Sequence, residues 1–236
     1  MARILTGCSG FSYKEWKGSF YPEGTPAKAW FEYYCSRFPT LELNVTFYRF
    51  PTAETFHGWY ERSPEGYVFA VKAPRLITHL KLFNDVGQLQ QDFYGAAKKG
   101  LRDKLGPLLY QLPAKMEYRP AILEKILRSL DTKYDNVIEF RHESWWRAEV
   151  YDALDKKGIT FCSLSYPGLP DWVVPGGKMV YYRFHGVPSL YRSTYSPAFV
   201  DKILAQTDGR DAFLFFNNTA DGHAVRNAEM TLRKLN

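Results

Sequence analysis

Short apolar runs recur along the chain, and most of them close on polar or charged residues. The eight runs are Arg3–Gly7, Leu41–Asn44, Val68–Lys72, Leu108–Gln111, Val137–Arg141, Ile159–Ser163, Val180–His185 and Phe213–Asn218. Each has the length of a strand, and stretches with helical periodicity separate most of them. Strand and helix alternating in this way predict an α/β fold, the (β/α)8 or TIM barrel, as one domain over residues 1–236.

The punctuation between the runs agrees. Thr25-Pro26 opens a helix to about Phe38, with threonine as N-cap and proline at the first helical position. Helices are also expected from Thr52 or Ala53 to Arg62, from Asp85 to Lys104 and from Arg119-Pro120 to Leu130. Ser144 is expected to cap one from Trp145 to about Lys157, which Gly158 ends. Ser196-Pro197 starts another to about Thr207, and the last begins near Thr219 to His223 and reaches Leu235. The sixth connection differs. Tyr166-Pro167-Gly168-Leu169-Pro170 and Pro175-Gly176-Gly177 leave no room for a full helix, so the helix after strand six is expected to be reduced or absent.

Alternation along each strand then sorts side chains into an interior set and a set beneath the helices. In the fifth run Ile138 and Phe140 read as helix-facing, which turns Val137, Glu139 and Arg141 inward. By the same parity Glu42 and Asn44 face inward, Tyr181, Arg183 and His185 share one face, Lys72 goes with Ala70, and Gln111 goes with Leu109. In the eighth run either Asn217 or Asn218 points in. The C-terminal strand ends of such a barrel surround its active site. Glu42, Asn44, Lys72, Gln111, Glu139, Arg141, Arg183, His185 and Asn217 are therefore expected around one mouth. A plainer reading is a structural network in which Glu42 and Glu139 neutralise Lys72, Arg141 and Arg183. A purely structural barrel would fill these layers with Val, Ile and Leu instead.

Bulk properties narrow the partners. The chain has 236 residues, a formal net charge of +6 and 17% aromatics. The positive excess is dispersed. Its densest run, Lys98, Lys99, Arg102 and Lys104, has helical spacing and reads as a solvated face rather than a nucleic-acid tract. Three cysteines far apart, with no CxxC, predict neither a disulfide framework nor a zinc ribbon, and point to a reducing cytoplasm. Met1-Ala2-Arg3 runs straight into the first strand without a signal-peptide pattern, and no apolar run approaches the ~20 residues that span a bilayer, so no membrane partner is expected.

Several motifs are recognisable. Gly7-Cys8-Ser9-Gly10-Phe11-Ser12-Tyr13 with Trp16 and Tyr21-Pro22, Glu42-Leu43-Asn44-Val45-Thr46-Phe47-Tyr48, and Phe69-Ala70-Val71-Lys72-Ala73 with Thr78-His79 come first. Leu105-Gly106-Pro107 with Gln111-Leu112-Pro113, Glu139-Phe140-Arg141-His142 with Ser144-Trp145, Tyr182-Arg183-Phe184-His185-Gly186, Tyr195-Ser196, and Phe216-Asn217-Asn218 with Asn227-Ala228 follow. In order and over nearly the whole chain they resemble the YecE-like family, the domain-of-unknown-function family DUF72. The resemblance implies a TIM barrel, with distant kinship to sugar-isomerase barrels at the level of fold, and marks His79 as a site residue. It supplies no reaction.

Three functions remain open on these residues. The first is an enzyme acting on a small anionic, hydroxyl-rich molecule such as a sugar phosphate or sugar acid, by isomerase- or hydrolase-type acid/base chemistry. Arg141, Arg183 and Lys72 would hold the anion, while Asn44, Gln111 and Asn217 would read hydroxyls. Glu139 or Glu42 would move the proton with His185 as partner, and His79, Tyr48, Trp145 and Tyr191 would complete the lining. The second is a nucleic-acid-binding or nucleic-acid-processing barrel, with mouth aromatics stacking bases. The third is a small-molecule binding protein without chemistry. Too few hard anionic side chains gather at the strand ends for a metal site to be assigned, and no cofactor or oligomeric state is assigned either.

Overall fold

The computed structural model describes residues 2–235. Its eight strands are β1 (Ile4–Cys8), β2 (Thr40–Leu43), β3 (Val68–Lys72), β4 (Leu105–Gln111), β5 (Asn136–Glu139), β6 (Thr160–Ser165), β7 (Met179–Phe184) and β8 (Asp211–Phe216). All neighbours are parallel, in the order β1-β8-β7-β6-β5-β4-β3-β2. The helices are α1 (Trp30–Arg37), α2 (Val45–Tyr48), α3 (Ala53–Arg62), α4 (Gly87–Leu101), α5 (Pro120–Ser129), α6 (Ala148–Asp155), α7 (Pro197–Ala205) and α8 (His223–Leu235). This is the expected (β/α)8 barrel. Residues 166–178, after β6, contain no helix, also as expected.

Closure between β1 and β2 is unlike the other junctions. In place of a ladder there is one bridge, Ser9 to Glu42, with the Gly10 N–H donating to the Glu42 carbonyl at 3.0 Å. One turn further down, the Tyr34 hydroxyl of α1 stands between the strands. It accepts from the Cys8 N–H at 2.6 Å and donates to the Thr40 carbonyl at 3.3 Å. Gly7 makes room for this arrangement, since a Cβ there would lie 2.3 Å from the Thr40 carbonyl oxygen and 2.9 Å from the Tyr34 hydroxyl. The tyrosine thus replaces a strand-to-strand hydrogen bond and keeps both backbone groups satisfied.

Alternation fills the interior as predicted. Ala70, Leu109, Val137, Cys162, Tyr181 and Phe215 pack on one another inside the barrel, with Phe213 against them. The opposite set, including Phe69, Leu108, Ile138, Phe140 and Tyr182, joins the larger core beneath the helices. Helix caps follow the sequence at two sites: Thr52 accepts from Thr55 N at 3.2 Å, and Ser196 from Phe199 N at 3.2 Å. The helix expected from Trp145 begins only at Ala148, because Glu143–Trp145 forms a separate turn. Ser144 there accepts from the Tyr118 N–H at 2.8 Å instead of capping a helix. Lys104 departs from the expected solvated face. It is buried, and its Nζ donates to the carbonyls of Tyr60 and Ser63, both at 2.7 Å, and to Ser63 Oγ at 2.9 Å. A single ammonium, with three donors, ties the end of α3 to the start of β4.

Candidate active site at the barrel mouth

The strand register brings charged residues of three strands, β2, β5 and β7, to one level. Arg183 of β7 forks between two carboxylates, with Nη2 2.6 Å from Glu42 Oε1 and Nη1 2.5 Å from Glu139 Oε2. Glu42 also accepts from the Tyr181 hydroxyl at 2.6 Å, and Arg183 Nη2 reaches Ser9 Oγ at 3.4 Å. Glu139 accepts in addition from Arg141 Nε, and Cys162 Sγ lies 3.8 Å from its Oε2. Glu42, Glu139, Arg183 and Tyr181 are all fully or almost fully buried. The layer therefore holds two carboxylates and two guanidiniums, so its charges balance. Burial pushes the Glu139 carboxyl up, but Arg141, Arg183 and His185 hold it well below the usual carboxylate range. Burial opposes charge on Arg183 too, and Glu139 and Glu42 override it.

His185 stands just above this layer. Its Nε2 lies 3.2 Å from Arg141 Nη2, 3.5 Å from Arg183 Nη1 and 3.6 Å from Glu139 Oε1, while Nδ1 lies 2.9 Å from the Asn217 amide. Burial first, then Arg141 and Arg183, depress its basicity well below the ordinary range, which keeps the ring neutral. The guanidiniums of Arg141 and Arg183, which can only donate, face Nε2, and the amide atom that faces Nδ1 is Asn217 Nδ2. Tyr166 and Tyr191 pack edge-on to the ring at 5.7 and 6.3 Å. Arg141 lies over the Tyr166 ring at 4.5 Å.

The outer tier is amide and cation. Lys72 Nζ donates to Gln111 Oε1 at 2.8 Å and lies 4.2 Å from the centre of the Phe47 ring. Gln111 donates in turn to the Leu112 carbonyl at 2.8 Å. Burial first, then Arg183, lower the Lys72 amine to about 7. Asn44, at the end of β2, has a buried Oδ1 with no partner among the described residues. His79 sits in a π-helical turn, Leu76–Leu80, with its ring edge-on to Phe47 at 5.0 Å. It lines a groove of about 480 Å³ together with Lys115, Met116 and Arg119. A second groove of about 510 Å³ opens on the other side of Tyr166, walled by Trp172, Val187, Tyr195 and Phe199.

The structure brings Glu42, Glu139, Arg141, Arg183, His185 and Asn217 into one hydrogen-bonded network and sets Lys72 and Gln111 beside it. Asn217, rather than Asn218, points inward. Asn218 donates at 2.9 Å to both the Ser193 carbonyl and Asn227 Oδ1, pinning the loop after β7. Tyr48 is 73% exposed and Tyr191 42% exposed, on the rim rather than in the network. Trp145 does not reach the mouth. It is buried on the helix side of β5, stacked on Phe140 at 4.1 Å, with its Nε1 donating to the Met116 carbonyl at 2.7 Å. Arg183 is likewise unavailable to a ligand, since its outer nitrogens are spent on the two carboxylates. Sequence reasoning missed Ser9, Phe47 and Tyr166. For Tyr166 the parity of Cys162 and Leu164 carried the signal, because the next residue of that set is Tyr166.

No helix among the described residues is long and apolar enough to cross a membrane. Residues 5–236 match the family model described as "Protein of unknown function DUF72". The UPF0759 protein YunF of Bacillus subtilis is 24% identical over 272 residues, which cover 98% of this chain and 94% of that one. A DUF72 family protein of Thermotoga maritima has a similar structure, with a TM-score of 0.85 and 28% identity over 99% of both chains. One from Enterococcus faecalis, 18% identical and with a TM-score of 0.77 over 100% of this chain and 98% of that one, shares the fold.

Proposed function

Because the chain belongs to DUF72, a family described as of unknown function, we propose a function read from its own barrel mouth: an enzyme acting on a small anionic, hydroxyl-rich molecule such as a sugar phosphate or sugar acid. The observation that carries this reading is the arrangement of the charges. The carboxylates of Glu42 and Glu139 are buried with Arg183 between them, while Arg141 pairs with Glu139 and Lys72, Gln111 and Asn217 lie at the C-terminal strand ends beside them. A substrate entering the mouth meets cations and hydrogen-bonding amides, a combination suited to an anionic group and its neighbouring hydroxyls. In this reading Glu42 and Glu139 set the field, and Glu139 and His185 position Arg141. Proton transfer at the substrate falls to the outer groups, as isomerase- or hydrolase-type chemistry requires. Three buried free thiols fit a reducing compartment such as the cytoplasm.

A thermal-shift screen with sugar phosphates, sugar acids, nucleotides, oligonucleotides and divalent cations tests it. A ligand at ~100 times its Kd adds about 2.7 kcal/mol, or ~5–10 °C in a domain of this size. The expected result is a shift with sugar phosphates or acids that is lost in Arg141→Met, measured against that variant's own Tm. The absence of any such shift overturns the proposal. The rim supports a second reading: Tyr48, Trp172 and Tyr191, exposed by 73%, 46% and 42%, suit the stacking of single-stranded nucleic acid. Shifts with oligonucleotides alone, fading with salt, would favour it.

A further inference from the structure

Lys72 differs from every other cation of the mouth. Arg183 and Arg141 are bonded to carboxylates, whereas Lys72 has no carboxylate within ion-pair distance among the described residues. Its Nζ is held by a neutral amide, Gln111 Oε1 at 2.8 Å, and by the face of Phe47 at 4.2 Å. Its backbone is fixed as well, since Thr46 Oγ1 donates to the Lys72 carbonyl at 2.5 Å. The side chain leaves the C-terminal end of β3, a rigid position facing the opening. Gln111 and Phe47 only orient the amine, and it is burial without a counter-ion that favours the uncharged, nucleophilic form.

We infer that Lys72 forms an imine with an aldehyde or ketone group of the anionic substrate, with Arg141 on the anion, an inference that rests on the small-substrate reading above. The Nζ lone pair attacks the carbonyl carbon to form a C–N bond, and the C=O electron pair moves to oxygen. One amine proton is transferred to that oxygen. The second proton is then lost with the hydroxyl as water while C=N forms, so that amine plus carbonyl gives imine plus water with no change of oxidation state. His79, packed on the same Phe47 ring, is the titratable side chain that borders this path. Once the imine nitrogen takes a proton from solvent, it withdraws electrons from the neighbouring carbon, which acidifies its C–H bond and serves isomerisation of a hydroxy-carbonyl compound.

The surroundings of Lys72 favour the uncharged amine on balance. Burial acts first. Arg183 and Arg141 add repulsion, Glu139 and Glu42 offset part of it, and the amine settles at about 7. Its neutral fraction at pH 7.5 exceeds that of a lysine with the ordinary value near 10.4 by several-hundred-fold, roughly.

The test is reductive trapping on the full chain at pH 7.5. Substoichiometric pyridoxal 5′-phosphate, and in a second arm glyceraldehyde 3-phosphate, is added, followed by borohydride and peptide mass mapping. Labelling of Lys72 about tenfold or more ahead of the exposed lysines is expected, with that adduct lost in Lys72→Arg and the others retained. Labelling spread over exposed lysines, with Lys72 no higher than they are, overturns the imine. If Lys72 is not trapped while sugar phosphates still raise the Tm, the imine falls and the anion-binding reading stands. If Lys72 is trapped by pyridoxal phosphate while neither sugar phosphates nor sugar acids bind, the amine is reactive and the substrate class is wrong.

Discussion

Removing the fork at the centre of the ion layer has a calculable consequence. In Arg183→Met the side-chain volume is largely kept, but Glu42 loses its arginine and Glu139 loses one of two. Taking one partner from a buried pair costs about 3–5 kcal/mol, because the remaining charge is uncompensated. Protonation sets a ceiling on that cost. A glutamate with the ordinary value near 4.3 can bind a proton for ~3.7 kcal/mol at pH 7, and for only ~1.0 kcal/mol at pH 5. The expected loss is therefore about 3–4 kcal/mol at pH 7, shrinking to roughly 1 kcal/mol at pH 5 for each orphaned carboxylate. The wild type should not behave in this way. Its Glu139 is held well below the usual range, once the arginines have overcome burial, so its contribution is present above the unfolded value and is lost only as pH falls through the lower folded one. Urea unfolding at pH 5, 6, 7 and 8 reads the difference directly. Adding Glu42→Gln and Glu139→Gln to Arg183→Met should remove the pH dependence that Arg183→Met adds to the wild-type background set by His185 and Lys72. A loss under ~1 kcal/mol at pH 7, or one equally large at pH 5, would refute the assignment of these groups as a charged, mutually neutralising layer.

Three further outcomes follow from other contacts. Tyr34→Phe deletes the hydroxyl between β1 and β2 and leaves the Cys8 N–H unpaired, so a loss of about 1–3 kcal/mol is expected, with faster hydrogen exchange at Cys8. Lys104→Met removes all three of its hydrogen bonds at the end of α3, and about 2–3 kcal/mol of stability should go with them in a denaturant titration. The initial rate of pyridoxal phosphate addition at Lys72 should rise with pH to a midpoint of about 7 and then flatten, since the neutral amine reacts. A midpoint near that of an exposed lysine would contradict the environment described for it.

Parity made much of this architecture readable from the sequence. A strand has only two faces, so a few helix-facing apolar residues such as Ile138 and Phe140 were enough to turn Glu139 inward. What parity cannot supply is height. Arg183 and His185 share a face, yet one is consumed by carboxylates and the other stands above them, because the offset between β5 and β7 is set by the tilt and stagger of the whole barrel. The Tyr34 bridge left no local mark either. A tyrosine on an amphipathic helix reads as core, and only the approach of β1 to β2 gives its hydroxyl two backbone partners. Trp145 was misread for a related reason. It follows the Glu139–Arg141 segment closely in sequence, but the turn at Glu143–Trp145 carries it to the helix side.

Glu42 takes part in the bridge that joins β1 to β2 through its backbone, and it holds Arg183 through its side chain. Closing the cylinder and neutralising its interior are thus a single event. If β2 joined one residue out of step, Glu42 would turn toward the helices and Arg183 would be left in hydrocarbon with one carboxylate. An interior of aliphatic side chains would tolerate neighbouring alignments at similar energy, whereas two fixed acids and a buried guanidinium accept one. The charges at the mouth thereby proofread the alignment of the strands as the chain folds, a role independent of whatever molecule later enters.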